Sequence, residues 1–236
     1  MTTAWSSGEQ RVEEGTHVRA LDAQNVTKTD GSSAEVLRTE DHVPQISIED
    51  NEASSRWLTV SPYLDSNHLL DLQSVDTPNR LLALTAIQLE AATNAYATVR
   101  YEDAFDWKGF MANLKALAAS EGYTWTRQEF YVVEFRSKLK QNIDVDLLFK
   151  LDKESHIEAT KSGGLLKYWY GVPDADRRNL ATCLWRNKED AVKGSRGPWH
   201  RQARAAISQM YEEIDVRGLC LIIEDNVRGW SFDPYG

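Results

Sequence analysis

The sequence predicts an α+β fold: a split β-α-β-β-α-β unit of the ferredoxin-like type, preceded by a helical segment. Three observations predict it. Strand-like and helix-like stretches alternate in that order across residues 126–236. Two of the predicted strands carry apolar residues at both parities, so each face of the sheet needs cover. Residues 53–125 show helical periodicity bounded by recognisable caps.

The elements can be taken in chain order. Residues 1–52 are rich in Ser, Thr, Glu and Asp and lack sustained periodicity, which reads as a disordered or loosely attached tail. Within it, "VPQISIED" is a candidate edge strand. In the 53–125 segment, "RWLTV" is a short strand. "TPNRLLALTAIQLEAA" is a helix with Thr77 as N-cap and Pro78 at its first position. "DWKGFMANLKALAASEG" is a second helix, capped by Asp106, with Phe110, Leu114 and Leu117 on one face and Gly122 as its stop. Trp57, Tyr101 and Trp107 are the packing residues of this part.

The 126–236 domain is more regular. "EFYVVEFRSKL" is a strand, "DVDLLFKLDKESHIEATKSGG" a helix ended by a Gly pair, and "LLKYWYG", "VPDADRRN" and "LATCLWRN" form a hairpin. "GPWHRQARAAISQMYEEI" is a helix with Pro198 at its start, "GLCLIIED" the last strand of the unit, and "GWSFDPY" a short added edge. Tyr131, Val133 and Phe135 oppose Phe130 and Val132 in parity, as Leu219, Leu221 and Ile223 oppose Cys220 and Ile222. The two helices cover one face. The economical cover for the other is the sheet of a second copy, a homodimer; the helical N-terminal segment is the alternative.

Composition excludes several function classes. A net charge of -9 and a pI near 5.1 do not suit a nucleic-acid surface, which needs a basic stripe to replace counterions. No apolar run approaches a membrane span and the N-terminus lacks a signal-like apolar core, so a soluble, cytoplasmic chain is expected. Asn25-Val26-Thr27 is then a glycosylation sequon on paper only. Cys183 and Cys220 both lie in apolar runs and read as buried, reduced thiols. There is no phosphate-cradling Gly loop, no G-x-S-x-G elbow and no pair of His at metal spacing, and "SRG" at Ser195 reads as turn and cap. The five histidines are too dispersed to specify a metal, so neither cofactor nor metal is expected.

The topology decides which residues meet. In a split unit the end of the first helix and the start of the second lie at the same end of the sheet, as do the start of the second strand and the end of the third. His156, His200, Trp185 and Arg186 therefore converge with Leu165 to Tyr168. A helix C-terminus favours a protonated imidazole and an N-terminus disfavours one. His156 is thus the expected acid or cation and His200 the expected neutral base, a division that proton transfer requires. Glu134 interrupts the first strand, either as a buried carboxylate facing the helices with Arg136 or Arg186 as partner, or as a rim charge. Tyr131, Tyr168 and Tyr170 can each donate a phenolic hydrogen bond to a carbonyl or enolate, and Trp169 and Trp185 can supply apolar walls.

On these residues a resemblance enters. The strand "ATCLWRNKEDA", ending in Trp and followed by a short Asp/Glu-Ala helical turn and then "PWH" at a helix start, resembles the dimeric α/β-barrel superfamily. That superfamily includes cofactor-free monooxygenases, polyketide cyclases and stress-responsive barrel proteins. "SGGLLKYWYG" with "RNLATCLWRNKEDAV" is similar to an uncharacterised family of fungal proteins. The likeness covers roughly the C-terminal half. It implies a cofactor-independent lyase, isomerase or cyclase acting on a small apolar or aromatic metabolite, of polyketide type in a fungal setting. In that reading His200 takes a proton alpha to a carbonyl while Tyr170 or Arg186 holds the oxyanion. A cofactor-free monooxygenase is a variant of it, and a non-catalytic ligand-binding or dimerisation module is the alternative.

Overall fold

A computed structural model describes residues 56–235. The tail, the "VPQISIED" strand and the Asn25 sequon lie outside the described residues. Strands β1 (Trp57–Thr59) and β2 (Leu69–Asp71) form a small antiparallel pair, joined through a 3-10 turn at Ser66–His68. Helix α1 (Thr77–Ala86) follows, then the single turn α2 (Tyr101–Ala104) and α3 (Trp107–Ser120). The C-terminal unit runs β3 (Gln128–Leu139), α4 (Val145–Ser162), β4 (Leu165–Tyr170), β5 (Arg178–Trp185), α5 (Lys188–Gly194), α6 (Pro198–Met210), β6 (Tyr211–Ile223) and β7 (Trp230–Pro234).

Its five strands lie in the order β4-β5-β3-β6-β7, every neighbour antiparallel. Without the added edge β7, that is the strand order of a split β-α-β-β-α-β unit, so the fold is α+β and ferredoxin-like. The Gly pair after α4 is required by geometry. Gly163 and Gly164 have φ of 78° and 81°, and a Cβ on Gly164 would collide with the Asp190 carboxylate. Asp106 and Asp144 cap α3 and α4 by accepting the backbone N–H of Gly109 and Leu147, both at 2.9 Å.

Three local expectations are corrected. The N-cap of α1 is Asp76, not Thr77: its carboxylate accepts the Asn79 N–H at 3.3 Å, and Pro78 sits inside the first turn. That helix stops at Ala86, because the chain turns back and Ala92 donates its N–H to the Ala104 carbonyl at 2.9 Å. Helix α6 ends at Met210, and Tyr211 to Ile214 open β6 instead. Tyr211, Ile214 and Val216 are β-branched or aromatic residues that suit an extended chain, and Glu212 is held there by Lys138 at 2.7 Å and Arg177 at 2.8 Å.

One face of the sheet presents Phe130, Val132, Leu166, Leu180, Leu184, Leu221 and Ile223. These pack with Leu81, Leu82, Tyr101, Phe105, Trp107, Phe110, Leu114 and Trp125 in one buried cluster. The cover expected from a second copy is therefore supplied by the chain's own N-terminal segment. Tyr101 also joins the two parts by a 2.7 Å hydrogen bond between its hydroxyl and that of Thr182. The opposite face carries Leu165, Tyr168 and Trp185 against Ala159 of α4 and Ala191 of α5.

This internal cover sets a stability expectation. Leu180→Ala, at a fully buried position, should cost about 2–5 kcal/mol in urea denaturation. A fragment of residues 126–236 should give no cooperative transition as a soluble monomer, because its uncovered face is apolar.

Candidate functional site

The site grows from α4. Asp152, His156 and Thr160 recur every four residues and so share one stripe of that helix; Ser155 and Glu158 flank the stripe. His156 is 4 % exposed, with its ring against Tyr168 of β4 and Tyr63 of the β1–β2 connection. From the same connection comes His68, wholly buried. Its Nδ1 meets the Nδ1 of His156 at 2.7 Å, with ring centroids 4.9 Å apart, so the two nitrogens point head-on at one another.

That geometry limits the protons. A neutral pair can hold the contact only if one Nδ1 carries hydrogen and the other is bare. Thr160 Oγ1 donates to the His156 carbonyl at 3.0 Å and lies 3.3 Å from His156 Nδ1. One ring of the pair then leaves its Nε2 bare, and the other carries its hydrogen there. Both Nε2 atoms and the Ser155 hydroxyl are buried with no hydrogen-bond partner among the described residues.

Below the pair, Asp152 accepts the hydroxyls of Tyr63 and of Tyr168, the latter at 2.5 Å. Burial raises the Asp152 carboxyl above its ordinary range, and the two tyrosine donors work against that rise. Burial likewise pushes the Tyr63 and Tyr168 hydroxyls up, with the nearby Asp152 charge adding to it. Tyr170 lies tilted against Tyr168, with ring centroids 5.6 Å apart. The expectation that His156 carries the proton is overturned: burial first, then His68 and His200, push it down to about 3. A place near a helix C-terminus favours a cation far less than removal from water opposes it. His68 is lowered too, by burial and by Lys153.

Beside this cluster lies a second arrangement. Glu158 accepts the backbone N–H groups of Trp199 at 2.7 Å and His200 at 3.1 Å, so a carboxylate from α4 caps the first turn of α6. Gly197 makes room for it, since a Cβ there would collide with the carboxylate. The same oxygen meets His200 Nδ1 at 2.8 Å. With hydrogen on Nδ1, the Nε2 of this partly exposed ring keeps its lone pair. Burial alone would raise Glu158, yet the two N–H groups and His200 outweigh it and hold the carboxyl below its ordinary range.

The other sequence-predicted residues divide between the two faces. Trp185 is core, filling the space beside Ala159 and Gly194. Tyr131 packs on the same face against Tyr235 at 4.9 Å. Arg186 leaves that end of the sheet with its Nε on Asp190 at 2.7 Å. Trp169 lies on the opposite face, against Phe105 and Tyr96, away from the histidines. Glu134 is on that face as well, neither facing α4 and α6 nor on the rim. It is 4 % exposed and pairs with Arg136 at 2.5 Å, which in turn holds the Ala97 carbonyl at 2.8 Å. Two surface depressions, of about 240 and 330 Å³, are lined by residues around Asp106 and around Arg178; none of these five sequence-predicted residues lines them, nor do His156, His200, Tyr168 and Tyr170.

Sequence reasoning missed Tyr63, His68, Asp152 and Glu158. For Asp152 a signal existed: the i, i+4, i+8 polar stripe on a helix that otherwise buries Leu151 and Ala159. Tyr63 and His68 sit in a loop whose destination no periodicity announces. Among the described residues no group of three His, Cys, Asp or Glu is placed to hold a metal ion, and no helix is long and apolar enough to cross a membrane.

Comparison with known proteins adds the following. A family model described as PB2B2.08-like matches residues 59–234. UPF0643 protein PB2B2.08 of Schizosaccharomyces pombe is 35% identical over 174 residues, covering 69% of this chain and 77% of that protein. Among solved structures, a Nitrosomonas europaea protein described provisionally as an antibiotic biosynthesis monooxygenase overlaps 39% of this chain and 86% of its own, with 13% identity and a TM-score of 0.33. SnoaB, a cofactor-independent oxygenase from Streptomyces nogalater, overlaps 39% and 90%, with 9% identity and a TM-score of 0.32.

Acid should destabilise the fold through these groups. His156 has a folded value near 3 against an ordinary 6.5, so the unfolded chain binds the proton first. The stability it contributes is complete above about pH 6.5 and is lost as pH falls towards 3. Asp152, raised, has the opposite sign above its ordinary 3.8, so the comparison that isolates the histidine is wild type against His156→Gln. Urea midpoints taken from pH 7 to pH 4 should fall more steeply in the wild type. At pH 7, Glu158→Gln should cost about 0.5–2 kcal/mol as the loss of a helix cap.

Proposed function

The chain belongs to the PB2B2.08-like family, and we propose that it is a cofactor-independent proton-transfer enzyme of the lyase, isomerase or cyclase kind. The observation that carries this reading is the Glu158–His200 pair, 2.8 Å apart at a helix start, with the second ring nitrogen left open. A carboxylate that fixes an imidazole by one nitrogen sets the other up as a base, and it stabilises the imidazolium that forms. Its substrate is a small, apolar or aromatic carbonyl compound, of polyketide type in a fungal setting.

In the reaction proposed, His200 Nε2 removes a proton alpha to the carbonyl. The electron pair of the broken C–H bond moves to the carbonyl oxygen as an enolate. Arg186, the cation that leaves the same end of the sheet, is the residue assigned to hold that oxygen. The proton then returns from His200 to a different carbon or is lost with a leaving group. Glu158 acts as a positioning residue. Trp185, packed beside Ala159 and Gly194, is assigned an apolar wall on that side, and Trp169, on the other face, has no part in it. His200, Glu158 and Arg186 all come from one chain, so the reaction needs no second copy.

The test does not require the natural substrate. Incubation in D2O with a panel of small ketones and β-dicarbonyl compounds, followed by NMR, reads proton abstraction as deuterium uptake at the alpha carbon. Wild type should catalyse uptake with at least one class, and His200→Ala should slow it by about 10²–10⁴-fold. Glu158→Gln should slow it less. Uptake at an equal rate in His200→Ala would remove the base. No uptake across the panel would favour a binding module in which the aromatics are packing alone.

A further inference from the structure

We infer that residues 60–70 form a lid over the buried polar cluster, released by acid through the His68–His156 contact. The segment is anchored by apolar residues at its two ends. Val60 and Leu70 are buried in the large core, and the Val60 carbonyl accepts the Tyr168 N–H at 2.7 Å along the β4 edge. Between those anchors its side-chain hydrogen bonds and ion pairs to α4 number three among the described residues: Tyr63 to Asp152, Asp65 to Lys153 at 2.6 Å, and His68 to His156 at 2.7 Å. At its tip Leu64 is 77% exposed and packs on nothing in the core.

The contact between the rings makes the lid sensitive to protons. One proton shared between two head-on nitrogens holds them together, whereas a hydrogen on each puts two N–H groups face to face at 2.7 Å. The pair cannot accept full protonation and stay closed. Charged and titratable groups face it from every side. On α4 these are Asp152, Lys153 and Glu154; on the lid itself, Asp65 and Tyr63; on β4, Tyr168 and Tyr170; on α6, His200. Lys153 and His200 oppose protonation while Asp65 and Glu154 favour it, and burial outweighs both. Release therefore belongs below the ordinary histidine range. Further acid neutralises Asp65 and loosens the second link in the same direction.

An open lid would carry Tyr63 and His68 away and bare Asp152, His156 with its unpartnered Nε2, and Ser155. The lid does not depend on the reaction proposed above, and its test reads no activity. Hydrogen–deuterium exchange of the full chain is followed by mass spectrometry at pH 7 and at about pH 4.5, each corrected for the intrinsic exchange rate. In the wild type, amides of residues 61–69 should lose protection roughly tenfold or more at the lower pH while β3 and β5 keep theirs. His68→Gln, which can still hydrogen-bond but does not titrate, should shrink the difference severalfold, and His156→Gln should shrink it further. Equal protection of 61–69 at both pH values would overturn the lid. So would loss of protection only together with β3 and β5, or the same acid opening in both Gln variants.

Discussion

A sheet apolar on both faces cannot stand in water with one of them bare, and everything else in this protein follows from how the second face is covered. Helices α4 and α5 pack on the first, through Ala159 and Ala191. The second is covered by residues 77–125, whose aromatics interlock with Phe130, Leu180 and Leu184. Burial of apolar area stabilises at about 25 cal/mol per Å², and the core that this cover closes holds most of the fully buried apolar side chains among the described residues. The described chain before α1 starts in that same core at Leu58 and Val60 and skirts the β4 edge, where the Val60 carbonyl accepts the Tyr168 N–H. That passage delivers Tyr63 and His68 to α4. The polar cluster is thus a by-product of the way the core is closed.

The cluster shows how polar groups persist in a dry interior. Two imidazoles stay neutral and share one hydrogen, and Asp152 receives two phenolic hydroxyls. Each hydrogen bond offsets part of the cost of leaving water, and the histidines avoid the larger cost of burying a charge. The balance at Glu158 runs the other way. Two backbone N–H groups at a helix start and one imidazole keep it ionised despite partial burial. Adjacent parts of one helix therefore hold a carboxyl pushed up and another pushed down. Such separation of acids is what general acid–base chemistry uses.

Much of the fold was legible because its signals are local. Strand parity, the Asp106 cap, the Gly163-Gly164 stop and Pro198 at a helix start each speak for themselves, and the chain order of elements then defines the unit. That the end of α4 meets the start of α6 was legible from topology as well, and Glu158 reaching His200 is where they touch. What was not legible depended on partners distant in sequence. Glu134 could be placed only by knowing which face Phe130 and Val132 present to the N-terminal segment. His156 was misjudged because helix position was visible and burial was not. Trp169 and Tyr168 are neighbours on one strand, yet only the register with β5 shows which of them reaches the histidines.

The cap supplied by Glu158 ties three positions together that lie on different elements. Gly197 leaves the room, Glu158 fills it, and His200 takes its orientation from the result. A side chain at 197 would expel the carboxylate, which would strip the first turn of α6 and free the imidazole in one step. Relatives of this chain are therefore expected to keep or abandon the trio as a set: inheritance at 158, 197 and 200 is linked by space, not by proximity in the gene.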